Sequence, residues 1–224
     1  MNRVITFLVG ATLLLSSAVR AENSDDITKR DYYWNALKAH LNLERFFPAN
    51  SLFFIGDSLV QNLDISLVDP NAVNLGIGGD STVGVLHRIK RYKSLKKARA
   101  FIFEVGINDM GLGKENDDTI ALNYKKIFKE LPPRPIFLLA LFPVNEKINR
   151  DFLGYNDRIS RINGQLSTLC KRTQTCSFID LHGMLTDSSG DFNQLLLREN
   201  DAIHYNQKGA FLIIGALRKR LPLK

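Results

Sequence analysis

The 224-residue chain has only two cysteines, Cys170 and Cys176, so it can close at most one disulfide of its own. It has no linker rich in glycine, proline or serine, no internal repeat and no low-complexity tract. Nothing therefore divides it into two domains, and its length suits one domain with a sizeable core. Beyond the N-terminus no apolar run approaches the roughly 20 residues that a membrane-spanning helix needs. Charge of one sign is not in great excess either. Thirty Lys and Arg stand against 23 Asp and Glu, a formal balance of +7. That mild excess suits an acidic surface or substrate and does not by itself indicate nucleic acid.

What is present begins with a leader. Asn2 and Arg3 open a short basic region, an apolar stretch runs from Val4 to Leu15, and Val19-Arg20-Ala21 precedes Glu22. This is the pattern of a signal peptide over residues 1–21, cut near Ala21 to leave residues 22–224. An uncleaved anchor is the alternative, and the shortness of the apolar run weighs against it. No cysteine lies near the cut, so a lipid anchor is not expected. Export to the periplasm or the medium permits a Cys170–Cys176 disulfide. The alternative there is two buried free thiols.

Short apolar runs alternate with helical patterns along the rest of the chain. Strands are expected at Leu52–Ile55, Ala72–Leu75, Ala100–Val105, Pro135–Leu141 and Ser177–Leu181. Helices are expected at Asp31–Phe47, Thr82–Tyr92, Thr119–Leu131, Gly154–Lys171 and Gln207–Leu221. Ile120, Tyr124, Ile127 and Leu131 recur at helical spacing, as do Ile159, Ile162, Leu166 and Leu169. Alternation of this kind predicts an α/β fold, a three-layer α/β/α sandwich around a mainly parallel five-stranded sheet. In such sheets ligands bind beyond the carboxyl ends of the strands, so the residues just after each strand matter most.

Four of those places are unusual. In Phe53-Phe54-Ile55-Gly56-Asp57-Ser58-Leu59 an apolar strand runs into a serine that sits at a helix start. Taken alone, Ser58 reads as a helix cap. In Asn74-Leu75-Gly76-Ile77-Gly78-Gly79-Asp80 three glycines follow a strand and bring bare backbone near whatever binds. A phosphate loop would need a Gly-Lys-Ser/Thr ending or Gly-x-Gly-x-x-Gly spacing, and neither is present. An N–H offered to a developing oxyanion fits better, with a tight turn as the plain alternative. Glu104-Val105-Gly106-Ile107-Asn108-Asp109 places a neutral amide donor, Asn108, at a third strand end. Asp201-Ala202-Ile203-His204 puts an acid three residues before a histidine, where one turn lets it orient the ring. His182, two residues after Asp180, is a poorer candidate, and His40 and His87 read as solvent-facing helix residues.

Together these four blocks resemble the SGNH hydrolase superfamily, also called the GDSL esterase/lipase family, from Leu52 to the last helix. The resemblance implies a flavodoxin-like α/β/α fold and a carboxylic ester hydrolase that works through an acyl-enzyme without metal or organic cofactor. It implies Ser58 as nucleophile, Asp201 and His204 as its proton-transfer partners, and Ser58, Gly79 and Asn108 as the oxyanion hole. Ala202 departs from the family's usual glycine, which puts the local backbone geometry in question. The Gly-x-Ser-x-Gly elbow of another hydrolase class is absent, since Val60 stands two residues after Ser58. The stretch from Asn74 to Arg91 is most similar to the branch of platelet-activating-factor acetylhydrolase-like and sialate O-acetylesterase-like proteins. That branch implies a small-molecule partner, a short-acyl ester of a sugar or a lipid. The substrate-binding residues are not legible.

Three other readings compete. Arg88, Lys90, Arg91, Lys93, Lys96, Lys97 and Arg99 could dock weakly on an anionic envelope surface, although a solvated face with Leu86, Ile89 and Tyr92 inward is the simpler account. The same reactive set could transfer an acyl group to an envelope glycan instead of to water. A non-catalytic glycan-binding domain would keep the fold and lose the need for the four blocks. Leu195-Leu196-Leu197 could line an acyl pocket, and core packing is the simpler expectation.

Overall fold

The computed structural model describes residues 30–111 and 117–221. The expected leader, residues 1–21, lies outside the described residues. Helix α1 (Asp31–Leu43) leads into strand β1 (Ser51–Gly56), then the short α2 (Ser58–Gln61) and β2 (Val73–Gly76). Helix α3 (Thr82–Ile89) precedes β3 (Ala98–Glu104), followed by α4 (Ile107–Gly111) and α5 (Asp117–Glu130). Strand β4 (Ile136–Leu139), α6 (Tyr155–Lys171), β5 (Cys176–Ile179), the short α7 (His182–Leu185) and α8 (Gln207–Arg220) complete the order.

All five strands are parallel and lie in the order β2-β1-β3-β4-β5. The chain reverses its direction of travel across the sheet at β1, so β1 and β3 flank a switch point. In open parallel sheets such a switch point is where ligands bind, outside the carboxyl ends of those two strands. The sequence places Ser58 and Asn108 just beyond them.

Both faces of the sheet are covered, which is why its central strands read as unbroken apolar runs rather than alternating ones. Phe53, Ile55, Phe101 and Phe103 enter one core with Tyr33 and Leu37 of α1, Val85 and Ile89 of α3, and the apolar faces of α5 and α6. Leu52, Phe54, Ala100 and Ile102 point the other way, onto Ile213, Ile214 and Leu217 of α8. Every residue of β1 is buried.

Most element ends moved by a residue or two from the sequence expectation, and three of the shifts bear on the packing. Helix α1 stops at Leu43, which is exposed, and a 3-10 turn at Glu44–Phe46 follows. Helix α3 stops at Ile89, so Tyr92 packs inward from the loop beyond it rather than from the helix. Strand β4 is shorter than its apolar run: Ala140 still donates to the Ile179 carbonyl at 2.9 Å, and residues 141–142 continue buried beyond the strand. Cys170 and Cys176 are bonded to each other, tying the end of α6 to the start of β5. No helix among the described residues is long and apolar enough to cross a membrane.

The basic segment is less uniform than its composition suggests. Arg88 is fully buried. Arg99 is paired inward with Asp69, Lys90 meets Glu130 at 3.1 Å, and Arg91 stacks over the Trp34 ring. Only part of the run is left as a free cationic face.

Candidate active site

Ser58 is the first residue of α2, and Asp57 caps that helix through a 2.9 Å bond from the Leu59 N–H to Oδ1. The turn into it is tight. A side chain at Gly56 would lie 2.0 Å from the Glu104 carbonyl, so only glycine lets β1 close against β3 here. The Ser58 hydroxyl stands 2.9 Å from His204 Nε2 across 146 residues of chain. On its other side, His204 Nδ1 meets Asp201 Oδ2 at 2.8 Å.

Asp201 does more than meet the ring. Its Oδ1 accepts the N–H groups of Ile203 and His204, each at 2.9 Å, which folds the segment into one turn. Burial pushes the Asp201 carboxyl up, but those two N–H groups and the ring outweigh it and hold it below its ordinary range. Alanine at 202 fits without strain, because the left-handed residue of this turn is Asn200, at φ 57°. Further anchors hold the histidine: Arg198 N–H donates to its carbonyl, and the Asn206 side chain caps α8 while donating to Leu195 and Leu197.

Gly79 has φ 72°, a conformation that an L side chain rarely adopts. The loop around it is pinned to α2 by Gln61, whose Oε1 accepts the Gly78 N–H at 2.6 Å. Asn108 reaches from the third strand end. Its amide donates to the Asp80 carbonyl at 2.8 Å and makes a longer 3.4 Å contact with Asp57 Oδ2. One amide thus touches the neighbour of Gly79 and the neighbour of Ser58. Five of the residues singled out from sequence (Ser58, Gly79, Asn108, Asp201 and His204) therefore gather at one end of the sheet.

The other histidines do not join them. The Asp180 carboxylate accepts the backbone N–H of His182 at 2.8 Å. His40 is not solvent-facing as expected: it is partly buried and bonded to the Tyr92 hydroxyl at 3.1 Å. Burial, then the nearby Arg88 charge, pulls it down to about 4. His87 is exposed, with Nδ1 3.2 Å from the Tyr33 hydroxyl. Of the leucine run, Leu197 packs into the core, Leu196 lies half-buried and Leu195 is exposed. Among the described residues, no group of three or more His, Cys, Asp or Glu side chains is arranged to hold a metal ion.

Beneath the site lies a layer of buried polar groups that sequence reasoning missed. Arg88 Nε meets Asp80 Oδ2 at 2.8 Å, with both side chains fully buried. Its other nitrogens donate to the Gly56 carbonyl and the Tyr92 hydroxyl, each at 3.1 Å. One guanidinium therefore ties the end of β1 to the loop after β2. A signal was available. Arg88 falls between Val85 and Tyr92 at spacings of three and four, on the buried stripe of its helix. Asp109 accepts the Thr82 N–H through both oxygens, at 3.1 and 3.0 Å, and the Thr82 hydroxyl as well. Nothing in the sequence joins residues 27 apart in that way.

Glu104 and Asp57 are also buried here. Burial pushes Asp57 up to about 7, against the pull of the Leu59 N–H, with the Asp80 and Asp109 charges adding to the rise. Burial and the Asp57 charge push Glu104 well above its ordinary range. Neither Glu104 oxygen has a well-formed hydrogen bond, and the Phe142 N–H only tempers the rise. Asp109 is lifted by burial to about 6 despite its Thr82 bonds. These carboxyls keep protons in the folded chain that the unfolded chain releases near pH 4. The folded state binds more protons between about pH 4 and 7, so their contribution to stability falls as pH rises through that window. Glu104→Gln should make the decline shallower in urea melts at successive pH values. An unaltered profile would mean that Glu104 titrates normally.

The GDSL-like Lipase/Acylhydrolase family matches residues 54–210, a span that includes Ser58, Gly79, Asn108, Asp201 and His204. The chain belongs to that family. Among its curated relatives is platelet-activating factor acetylhydrolase IB subunit alpha2 of Rattus norvegicus, 28% identical over 147 residues. The match covers 62% of this chain and 62% of that protein, so the chain spans under two thirds of the curated relative. A GDSL-like lipase from Bacteroides thetaiotaomicron superposes with a TM-score of 0.70 at 15% identity, covering 83% of this chain and 98% of that one. The lipase/acylhydrolase from Enterococcus faecalis gives 0.64 at 20% identity, with 79% and 99% covered. A carbohydrate esterase family 3 protein from Talaromyces cellulolyticus gives 0.58 at 16%, with 76% and 95% covered. Those three likenesses are of fold.

Proposed function

We propose that the chain is a serine esterase that hydrolyses carboxylic esters through an acyl-enzyme, with Ser58 as nucleophile, His204 as base and Asp201 as the acid that orients it. The observation that supports this reading is the continuous line from the Ser58 hydroxyl through both His204 nitrogens to Asp201, at 2.9 and 2.8 Å. With the Nδ1 proton donated to the carboxylate, Nε2 is free to take the serine proton as the oxygen attacks the ester carbonyl. The carbonyl electrons move onto oxygen, where the N–H groups of Ser58 and Gly79 and the Asn108 amide receive the charge. His204 then gives its proton to the leaving alcohol. Water repeats the sequence on the acyl-enzyme, releasing the acid and restoring Ser58.

Asn108 is the most exposed of these assignments to a single test. Asn108→Ala should lower kcat roughly 10²- to 10³-fold with little change in KM. Full activity in that variant would remove Asn108 from the site.

The substrate in this reading is a short-acyl ester, acetyl above all, of a sugar or a lipid. Its support is the name of the curated relative, an acetylhydrolase. The enzyme acts outside the cytoplasm, after loss of residues 1–21. A panel of p-nitrophenyl esters from acetyl to palmitoyl, run beside O-acetylated sugars, tests the acyl preference. The expected order falls steeply beyond acetyl. A maximum at long acyl chains would overturn the short-acyl assignment.

A further inference from the structure

Away from the catalytic loops, α5 and α6 run side by side over the sheet face opposite α8 and leave a groove of about 940 Å³ between them. That volume falls in the range of small-molecule sites. Its floor is apolar: Ala121, Phe128 and Leu169 lie half-buried there, and Leu122 is 48% exposed at its edge. Its walls are cationic. Lys125 and Lys129 rise from α5, Arg161 from α6 and Arg172 from just after its end, and no acidic residue lines the groove. Arg161 is already engaged by Asp117 at 3.3 Å, which leaves Lys125, Lys129 and Arg172 as the groove's ligand-facing charge.

A second observation comes from Gly164. It sits within α6, where glycine is less favourable than alanine by about 1 kcal/mol. At Gly56 and Gly76 neighbouring backbone forbids a side chain, whereas Gly164, like Gly183 and Gly215, has open space around it. A Cβ on Gly164 would meet nothing within 4 Å. Internal packing therefore does not account for the glycine. Gly164 lines the groove together with Ala121 and Thr168, so a larger side chain there would occupy groove space.

We propose that this groove binds a single-chain anionic amphiphile, its alkyl chain lying over Gly164 and its acidic head held by Lys125, Lys129 and Arg172. Apolar floor and cationic walls are the two halves of that ligand's complement. The site is an open groove lined by residues of both helices. It shares no residue with the catalytic loops, so it stands whether or not the esterase reading does.

The test uses laurate below its micellar concentration, titrated calorimetrically into the full chain. Wild type should bind one equivalent, and dodecyltrimethylammonium should not bind. Gly164→Leu fills the channel from a position with open space around it, so its Tm should match or exceed that of wild type. That variant should weaken laurate about tenfold or more. Lys125→Glu/Lys129→Glu should weaken it similarly, and wild-type affinity should fall as salt rises. Laurate binding by Gly164→Leu at wild-type strength would overturn the proposal. So would equal binding of the cationic amphiphile, or binding confined to phosphatidylglycerol vesicles with none to monomeric laurate, which would make the face a membrane contact. Loss of p-nitrophenyl acetate hydrolysis in Gly164→Leu would also count against it, because the groove would then belong to the catalytic site.

Discussion

Ser58→Ala should lower turnover of p-nitrophenyl acetate roughly 10⁴- to 10⁶-fold while leaving the urea midpoint close to that of wild type. The size follows from what the hydroxyl does in the proposed reaction. It forms the covalent bond, and without it His204 has no proton to take and no acyl-enzyme can form. What survives is the rate that the oxyanion donors give to attack by water. Stability is expected to hold because the hydroxyl's partner, the half-exposed His204 ring, can turn to water instead. The effects of the triad should also fail to add. Ser58→Ala/His204→Ala should be no slower than Ser58→Ala alone, since each removes the same step. Hydrolysis by Ser58→Ala near the wild-type rate would end the nucleophile assignment. An additive double variant would mean that serine and histidine act in separate steps.

The largest expected effect on stability lies one layer deeper. Arg88→Met should cost roughly 3–5 kcal/mol in urea unfolding, because it leaves the Asp80 carboxylate buried without its partner. The Gly56 carbonyl and the Tyr92 hydroxyl lose a donor in the same change. Asp80→Asn/Arg88→Met removes both charges and should recover much of that loss, since a buried ion pair contributes little net stability over a neutral pair. Activity should follow a different course. Arg88 joins β1 to the loop that carries Gly79, so the double variant should stay slow in kcat even where it folds well. Equal stability of Arg88→Met and wild type would show that the pair is solvated. Full activity in the double variant would show that the clamp plays no part in positioning the loop.

Much of this architecture could be read from the chain. Apolar runs buried on both faces, separated by helical patterns, are what a covered parallel sheet requires, and five such runs became five parallel strands. The ends of the runs were less legible. Tyr92 belongs to the buried stripe by spacing, yet α3 stops before it and the loop delivers it. Phe142 continues an apolar run after strand pairing has ended. Burial and hydrogen-bonded pairing are different demands, and the sequence pattern reports only the first.

The candidate site divides in the same way. Asp201 and His204 are three residues apart, and one turn suffices to orient the ring, so their relation is local. The relation between His204 and Ser58 spans 146 residues and exists only because β1 and the segment before α8 end at the same edge of the sheet. Arg88 looked like one cation among seven. Its burial was decided by Asp80 across two turns of chain and by the Gly56 carbonyl from another strand.

By itself, then, the sequence determined the fold class, the residue types offered at each strand end, and the local turn that couples an acid to a histidine. These depend on periodicity and on contacts a few residues apart. Tertiary structure alone decided which strand ends meet, which charges are taken from water, and where two helices leave a channel. Each of those depends on distances between segments remote in the chain, and no local pattern carries that information.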